Sequence, residues 1–465
     1  MGLEPYWNEA CKGINSQLWL PTAIDSHSSA LTLSNGLLSA TVDNSWFLAK
    51  LLTATQPTNF ATICRQSSSS LLPECTASVH TVTKSRKIRL YPTAPPRAIF
   101  RRWFGAARFV YNRTLDYLKT LSGPRPPWTE IATQIILPNL PEWAEDIPFQ
   151  IKKMAVKEAC QAYSGAKMKY RRTGQISELG YKSRKSPRQT CYIPKSAVTQ
   201  HGIYHTLSGK LDFAEPLPAK FLDCELSWQQ GRWFLCVPFQ TTVPIGENQA
   251  RIVALDPGVR TFITFFSAEM AGVIGYHDFG QLVRLCAHLD DLISRRSQSR
   301  NKKQRYRMKK AENRLRWRIK DLRDELHAKT ARFLVDNFDI ILIPTFDTSQ
   351  MVTRAGRKLH SKSVRALLTW AHSTFKERLK VIAAQTGKLV IEVNEAYTSK
   401  TCSWSGEIVN VWSSEYIRGS DGIQMHRDVN GARGIFLRAL AELPLLESLQ
   451  QALVNHANPS LAFSS

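Results

Sequence analysis

Arg251-Ile-Val-Ala-Leu-Asp-Pro-Gly-Val-Arg-Thr-Phe-Ile-Thr-Phe-Phe266 is the stretch on which the reading of the fold turns. Ile252 to Leu255 is an apolar run of the kind that forms a buried strand, Asp256-Pro257-Gly258 has turn chemistry, and Thr261 to Phe266 reads as a second strand. The whole predicts a hairpin with a carboxylate at its tight end. Taken alone, Asp256 is more simply a turn initiator, since Asp before Pro-Gly commonly does no more than that. Two later segments change that reading.

Past the hairpin, Val273 to Phe279 reads as a third strand and Leu282 to Val335 as a long polar helical region. Between Arg295 and Arg332 sixteen basic residues stand against four acidic ones. Such a run is usually a solvated face, but a four-to-one excess of one sign favours a helix pair that faces phosphates. Phe338 to Ile343 is a second buried-strand pattern, stopped by Pro344, and Lys362 to Gln385 an amphipathic helix. Leu389 to Val393 is another apolar strand, running into Asn394-Glu-Ala-Tyr-Thr-Ser-Lys-Thr-Cys402, and His426-Arg-Asp-Val-Asn-Gly-Ala-Arg433 opens a last helix through Leu440. Hairpin, alternating strands and helices, and a closing helix predict an α/β domain of RNase-H-like order.

Three carboxylates fall at the informative points of that order. Asp256 ends the first strand, Glu395 follows a later one, and Asp428 begins the last helix. Ligands of open α/β sheets gather at the carboxyl edge of the strands, where these side chains can meet. Clustered carboxylates repel one another unless cations lie between them. Two Mg2+ ions, roughly 4 Å apart, would offset the repulsion and clamp the attacking and leaving oxygens of a phosphodiester displacement. Singly, Glu395 is a surface acid and Asp428 a helix N-cap. The metal reading rests on the three together.

Charge separates this half of the chain from its beginning. Residues 1–83 carry a net charge of −2, whereas residues 84–465 hold 59 basic against 33 acidic side chains, a net of +26. The basic portion suits a polyanion, because Lys and Arg neutralise phosphates and release counterions. The first 83 residues, rich in Ser, Thr, Leu and Asn and without a visible period, read as a variable extension, disordered or weakly packed. Residues 84–245 read as helices set between short strands, basic and aromatic throughout: a basic strand at Lys84–Pro92, helices over Ala98–Leu118 and Ile151–Tyr170, then short strands from Cys191 to Val243. Candidate nucleic-acid contacts there are Arg86, Arg89, Arg101, Arg102, Arg108, Lys152, Lys153, Arg184 and Lys185, joined in the long helical region by Lys302, Lys303, Arg305 and Arg307. The tail beyond about residue 446 is uninformative. No run approaches 18 apolar residues, so no membrane helix is expected. Met1 to Tyr6 lacks the marks of a secretory or myristoylation signal. The nine cysteines form no C-x-x-C pair and read as free thiols of a reducing compartment.

Leu255-Asp-Pro-Gly258, Glu395-Ala-Tyr-Thr-Ser-Lys-Thr-Cys402 and Arg427-Asp-Val-Asn-Gly-Ala-Arg433, in that order, resemble motifs of the RuvC nuclease domain of TnpB and of its eukaryotic relatives, the Fanzor proteins. Arg86-Lys-Ile-Arg-Leu-Tyr-Pro-Thr93 with Arg108-Phe-Val-Tyr-Asn112 is similar to the family's N-terminal nucleic-acid lobe. The resemblance spans roughly 84–445. It implies a β-rich wedge domain with an inserted helical recognition lobe at 84–245, and a RuvC-like nuclease domain at 250–445. It further implies Mg2+-dependent, RNA-guided cleavage of double-stranded DNA beside a short recognised motif, by a transposon-associated protein. The guide would be an omega-type RNA from the protein's own locus; the expected setting is the nucleus for a eukaryotic Fanzor and the cytoplasm otherwise, and a monomer is favoured with the oligomeric state left open.

Two departures bear on the site. Pro344 stands where TnpB carries its second acid, and Fanzor-type members use a glutamate just before the Tyr-Thr-Ser-Lys-Thr-Cys motif instead, which points to Glu395 with Glu392 as the weaker choice. The family's C-x-x-C pairs are reduced to Cys402 with no later cysteine, and His426 alone cannot complete a tetrahedral set, so no structural zinc is expected in the degenerate segment 402–426. The loss at Pro344 keeps open a nuclease-inactive RNA-guided DNA-binding protein. A basic nuclease or transposase that needs no guide is the third reading.

Overall fold

The structure, a computed structural model, describes residues 37–38, 49–52, 80–121, 123–243, 251–276, 278–345, 361–395, 398, 400–410 and 414–441. It divides into two compact units, Thr81–Thr242 and Val243–Ser465 together with Met1–His80. Two short strands, β1 (Leu37–Leu38) and β2 (Ala49–Leu52), precede the first unit in the chain yet belong to the second.

The unit Thr81–Thr242 is built on a four-stranded sheet of β3 (His80–Leu90), β8 (Arg232–Val243), β7 (Cys224–Gln229) and β4 (Arg188–Ile193), in that order, beside a small ribbon of β5 (Val198–Thr199) and β6 (Gly202–Ile203). Alternation along β3 buries Ile88 and Leu90 and leaves Lys87 outside. Helix α1 (Ala94–Thr120) starts four residues before the sequence pattern, because prolines in its first turn need no intrahelical N–H bond. Phe100, Trp103, Phe104 and Val110 recur at helical spacing on its buried face, and Phe104 lies stacked on Trp233 of β8 with ring centroids 5.6 Å apart. Helix α2 (Phe149–Thr173) packs beside α1 and is ended by Gly174, whose φ of 67° takes the left-handed cap.

The second unit centres on a seven-stranded sheet in the order β1, β2, β11 (Ala271–Ile274), β10 (Ile263–Ser267), β9 (Ile252–Pro257), β12 (Ile340–Pro344), β13 (Leu389–Val393). β10 runs antiparallel to both β9 and β11, while β12 is parallel to β9 and β13 to β12. The stretch Ala49–Leu52, inside the region read from sequence as an extension, pairs antiparallel with β11 and so builds the sheet. One face of the sheet (Val253, Leu255, Phe265, Ile341, Ile343) packs on helices, and the other (Ala254, Leu342, Val393) packs on the last helix, giving three α/β layers.

Three boundaries differ from the sequence expectation. The third strand stops at Ile274 because Gly275, at φ 76°, turns the chain where a Cβ would lie 2.7 Å from that of Phe262. The long helical region is a pair, α3 (Asp278–Gln298) and α4 (Lys302–Asn337), with the Asn301 side chain capping α4 through the amides of Lys303 and Gln304. The expected single helix over 362–385 is broken into α5 (Ser361–Trp370) and α6 (His372–Gln385) by Ala371, which sits left-handed at φ 52°. That break turns both flanking side chains to the turn after β9. The Trp370 indole donates to the Val259 carbonyl at 3.0 Å and the His372 Nε2 to that of Gly258 at 3.0 Å.

Candidate active site

β9 delivers Asp256 to the edge at which β12 and β13, its parallel neighbours in turn, also end. Glu395 lies two residues past the end of β13, and so comes off the same edge. The last helix, α7 (Arg427–Ala441), lays Val429, Ile435, Phe436 and Ala439 against the unit's interior and carries Asp428 in its first turn. An acid there complements the positive end of the helix dipole. Gly431 shows how closely α7 approaches β9, since a Cβ on it would lie 2.6 Å from Asp256 Oδ2. Only glycine lets helix and carboxylate share that space.

The electrostatics follow from this crowding. Burial first, and then the charges of Asp428 and Glu395, push the Asp256 carboxyl up to about 8 against the opposing Arg427 guanidinium. Glu395 is also raised, by burial. Asp256 is nevertheless only partly covered, so solvent and small ions reach it although protein surrounds it on most sides. No hydrogen bond from a described residue reaches the side-chain oxygens of the three acids. Unsatisfied carboxylate oxygens are the donor set of a hard divalent cation. Among the described residues no three His, Cys, Asp or Glu side chains close on one point at metal-ligating distance.

A second group of residues, not singled out from sequence, holds Glu395's segment to α7. Asn430 is fully buried, accepts from the Ser403 amide at 2.8 Å, and donates to the carbonyls of Thr401 at 2.8 Å and Thr398 at 3.5 Å. Thr398 in turn bonds back to the Glu395 carbonyl through both its amide and its hydroxyl. Gly434 admits Thr398 against the helix, where a Cβ would be 3.1 Å from that of Thr398. The buried Arg433, its guanidinium lowered to about 10 by desolvation, reaches the Ser403 hydroxyl at 3.4 Å. Two glycines inside an apolar helical pattern were the available signal, since each costs about 1 kcal/mol against alanine and needs a reason.

Glu392, the weaker alternative from sequence, is not part of this group. It binds Lys376 at 2.7 Å and Lys380 at 2.6 Å, and these hydrogen bonds hold its carboxyl below the ordinary range. Alternation along β13 separates it from Glu395. Pro344 is a buried apolar residue opposite Val393 at the end of β12. In the segment 402–426, Cys402 is buried and a short hairpin pairs β14 (Tyr416–Arg418) with β15 (Gln424–His426). The Trp404 indole bonds to Asp421 at 2.9 Å across the segment.

The expected nucleic-acid residues fare unequally. Lys152 is a correction: it is buried and spends its ammonium on the carbonyls of Ala144 at 2.8 Å and Glu145 at 3.1 Å. Arg102 pairs with Asp146 at 2.8 Å while staying exposed, and the half-buried Arg108 binds Gln189 at 2.9 Å. Arg86 lies over Phe239 and Arg89 over Phe234, while Lys153 stands 5.8 Å from the rings of both Trp128 and Phe149. Arg101, Arg184, Lys185, Lys302, Lys303, Arg305 and Arg307 are exposed.

Comparison with known proteins gives relatives over most of the chain. Residues 372–435 match the family described as Cas12f1-like, TNB domain, and residues 81–121 match a helix-turn-helix domain family of the OrfB/IS605 type. A protein of Acanthamoeba polyphaga mimivirus described as "Putative transposase" is 25% identical over 470 residues, covering 94% of this chain and 92% of its own. A "TnpB-like protein" of the same virus is 25% identical, over 76% of this chain and 72% of its own. A "Putative RNA-guided DNA endonuclease" of Streptomyces pristinaespiralis is 24% identical, over 77% of this chain and 90% of its own. Over most of its length, then, the chain is similar to the TnpB-like transposases of viruses and bacteria.

Proposed function

We propose that this protein is an RNA-guided DNA endonuclease of TnpB type with a RuvC-like, RNase-H-like nuclease domain, in which Asp256, Glu395 and Asp428 hold Mg2+. The observation that carries the proposal is a crowded carboxylate at the strand edge, Asp256, pushed up to about 8 with two further acids beside it. Bound divalent ions would neutralise that excess charge and polarise a phosphodiester for attack by water. The residues of the chain supply the rest. The three carboxylates would hold the ions, Gly431 leaves room for Asp256, and Asn430 fixes the segment that presents Glu395. Hydrolysis forms a bond from water oxygen to phosphorus and breaks the bond to the leaving deoxyribose oxygen, which takes up the proton. The relatives' descriptions and the excess of Lys and Arg support a guide RNA and a DNA target as partners, and a guide from the protein's own locus and a double-stranded target are part of the same proposal. Base pairing would read the sequence while the protein reads backbone shape. Use of Glu395 in place of an acid at Pro344 is a Fanzor-like feature, and residence in a eukaryotic nucleus is part of the same proposal.

The test is cleavage of a matched plasmid by protein purified with its own RNA, with Mg2+ present or chelated, beside Asp256→Ala. The proposal expects cleavage by the wild type alone and only with Mg2+. Guide-dependent binding without cleavage would establish the inactive reading that Pro344 keeps open. Equal cleavage after the RNA is digested and removed would establish a nuclease without a guide.

A further inference from the structure

The hairpin of α3 and α4 stands on the carboxylate edge of the sheet. β9 and β11 run the same way and end at that edge, and α3 begins four residues beyond Ile274. α4 returns to the opposite edge, since Asn337 is followed by Asp339, which accepts from Arg251 and Lys388 at the amino ends of β9 and β13. Where α4 passes the turn after β9, His327 stacks on Phe262 and bonds to the Trp370 carbonyl at 2.8 Å. From His327 to Tyr306 is twenty-one residues of unbroken helix, a rise of about 31 Å. The hairpin tip therefore lies about 31 Å along α4 from the turn that follows Asp256.

That tip is built as a cationic head. No acid occurs between Asp291 and Glu312, while nine Lys and Arg do. Glu312, 1% exposed, gathers Arg296, Lys309 and Arg316 around itself at 2.9–3.0 Å and so ties the two helices together. Arg300, Lys302, Lys303, Arg305 and Arg307 have no ion pair among the described residues and face water. Tyr306, 62% exposed, lies among them with Lys310 4.5 Å above its ring. With charge screened over about 10 Å, these cations act on what lies beside them and leave the carboxylate edge unaffected.

We propose that this tip grips the backbone of the DNA held at the carboxylates, about nine base-pair steps from the bond that is cut. The distance follows from about 31 Å divided by the 3.4 Å rise of a duplex. The proposal rests on the endonuclease reading for the place of the cut. Its occupant is argued from charge complementarity and from continuity, because a duplex leaving the edge alongside the arm comes within its reach.

The test uses the full chain with its RNA in an Asp256→Ala background and end-labelled duplex DNA carrying the matched target. Lys302→Gln, Lys303→Gln, Arg305→Gln and Arg307→Gln are combined, and an unchanged melting temperature verifies the fold. The expected result is loss of hydroxyl-radical protection about nine base pairs from the cut position with protection at that position retained, and a slope of log affinity against log salt shallower by up to about 3.6 for the four cations removed. An unchanged footprint and slope on DNA that the wild-type chain cleaves would overturn the arm alone. The expected changes with no Mg2+-dependent cleavage by the wild type would sink the nuclease reading and leave the grip. A chain that binds no DNA overturns both.

Discussion

Replacing Asp256 by Asn tests the electrostatic load on the carboxylate edge. With Asp256 at about 8 against an ordinary value of 3.8, the folded chain holds a proton that the unfolded chain has released throughout the interval between them. A raised carboxyl pKa thus stabilises the acid side, and the contribution is lost as pH climbs through 8. Over the whole interval the upper bound is on the order of 6 kcal/mol, of which about 3 kcal/mol falls between pH 6 and 8, reduced because Asp256 keeps some contact with water. At roughly 2–4 °C per kcal/mol for a unit of this size, several degrees of melting temperature are at stake. Freed of divalent ions, the wild type is expected to melt lower at pH 8.5 than at pH 6. Asp256→Asn should have a flatter profile, melt above the wild type at pH 8.5, and cleave no DNA. Mg2+ should raise the wild-type midpoint and leave that of the variant in place. Scanning calorimetry at the two pH values decides, and superimposable profiles for the two ion-free proteins would refute the reasoning.

Gly431→Ala should abolish cleavage while costing about 1–3 kcal/mol of stability, because the added methyl must displace the Asp256 carboxylate or the helix; cleavage assays beside thermal melts check this. Asn430→Ala should lower stability by about 2–3 kcal/mol, leaving the Ser403 amide and Thr401 carbonyl without their partner. It should also depress kcat more than DNA affinity, as measured by single-turnover kinetics and filter binding. Glu395→Gln should remove cleavage, whereas Glu392→Gln should stay within a few-fold of wild type, because its partners are two lysines one turn apart on α6 that form solvent-accessible ion pairs with it; a reversed order of the two would move the second acid to Glu392.

What could be read from the sequence was what period and turn chemistry carry. Asp256, Glu395 and Asp428 were visible because each follows or opens a strongly apolar element, and the ends of such elements meet in an α/β sheet. The break at Ala371 was not, since alanine gives no breaking signal. Its cause is tertiary: two carbonyls more than a hundred residues upstream, at Gly258 and Val259, take their donors from the flanking ring nitrogens. Lys152 looked like its neighbours on a basic helix because its acceptors are backbone carbonyls, which have no letter of their own. Asn430 and Gly431 were read only as parts of a motif, and their separate tasks come from what α7 presses against. Ala49–Leu52 is four residues long, too short for any period, and its partner lies at Ala271–Ile274.

That pairing sets an order of events during synthesis. The ribosome makes β2 first among the strands that flank β11, then makes the whole of Thr81–Thr242 before β11 emerges to receive it. An early-born strand must wait for a late-born neighbour across more than two hundred residues, and loop closure of that span is entropically slow. A chain cut before residue 49 of this sequence keeps the partner, but one started at residue 84 leaves the β11 border bare, with unpaired amides ready to recruit another polypeptide.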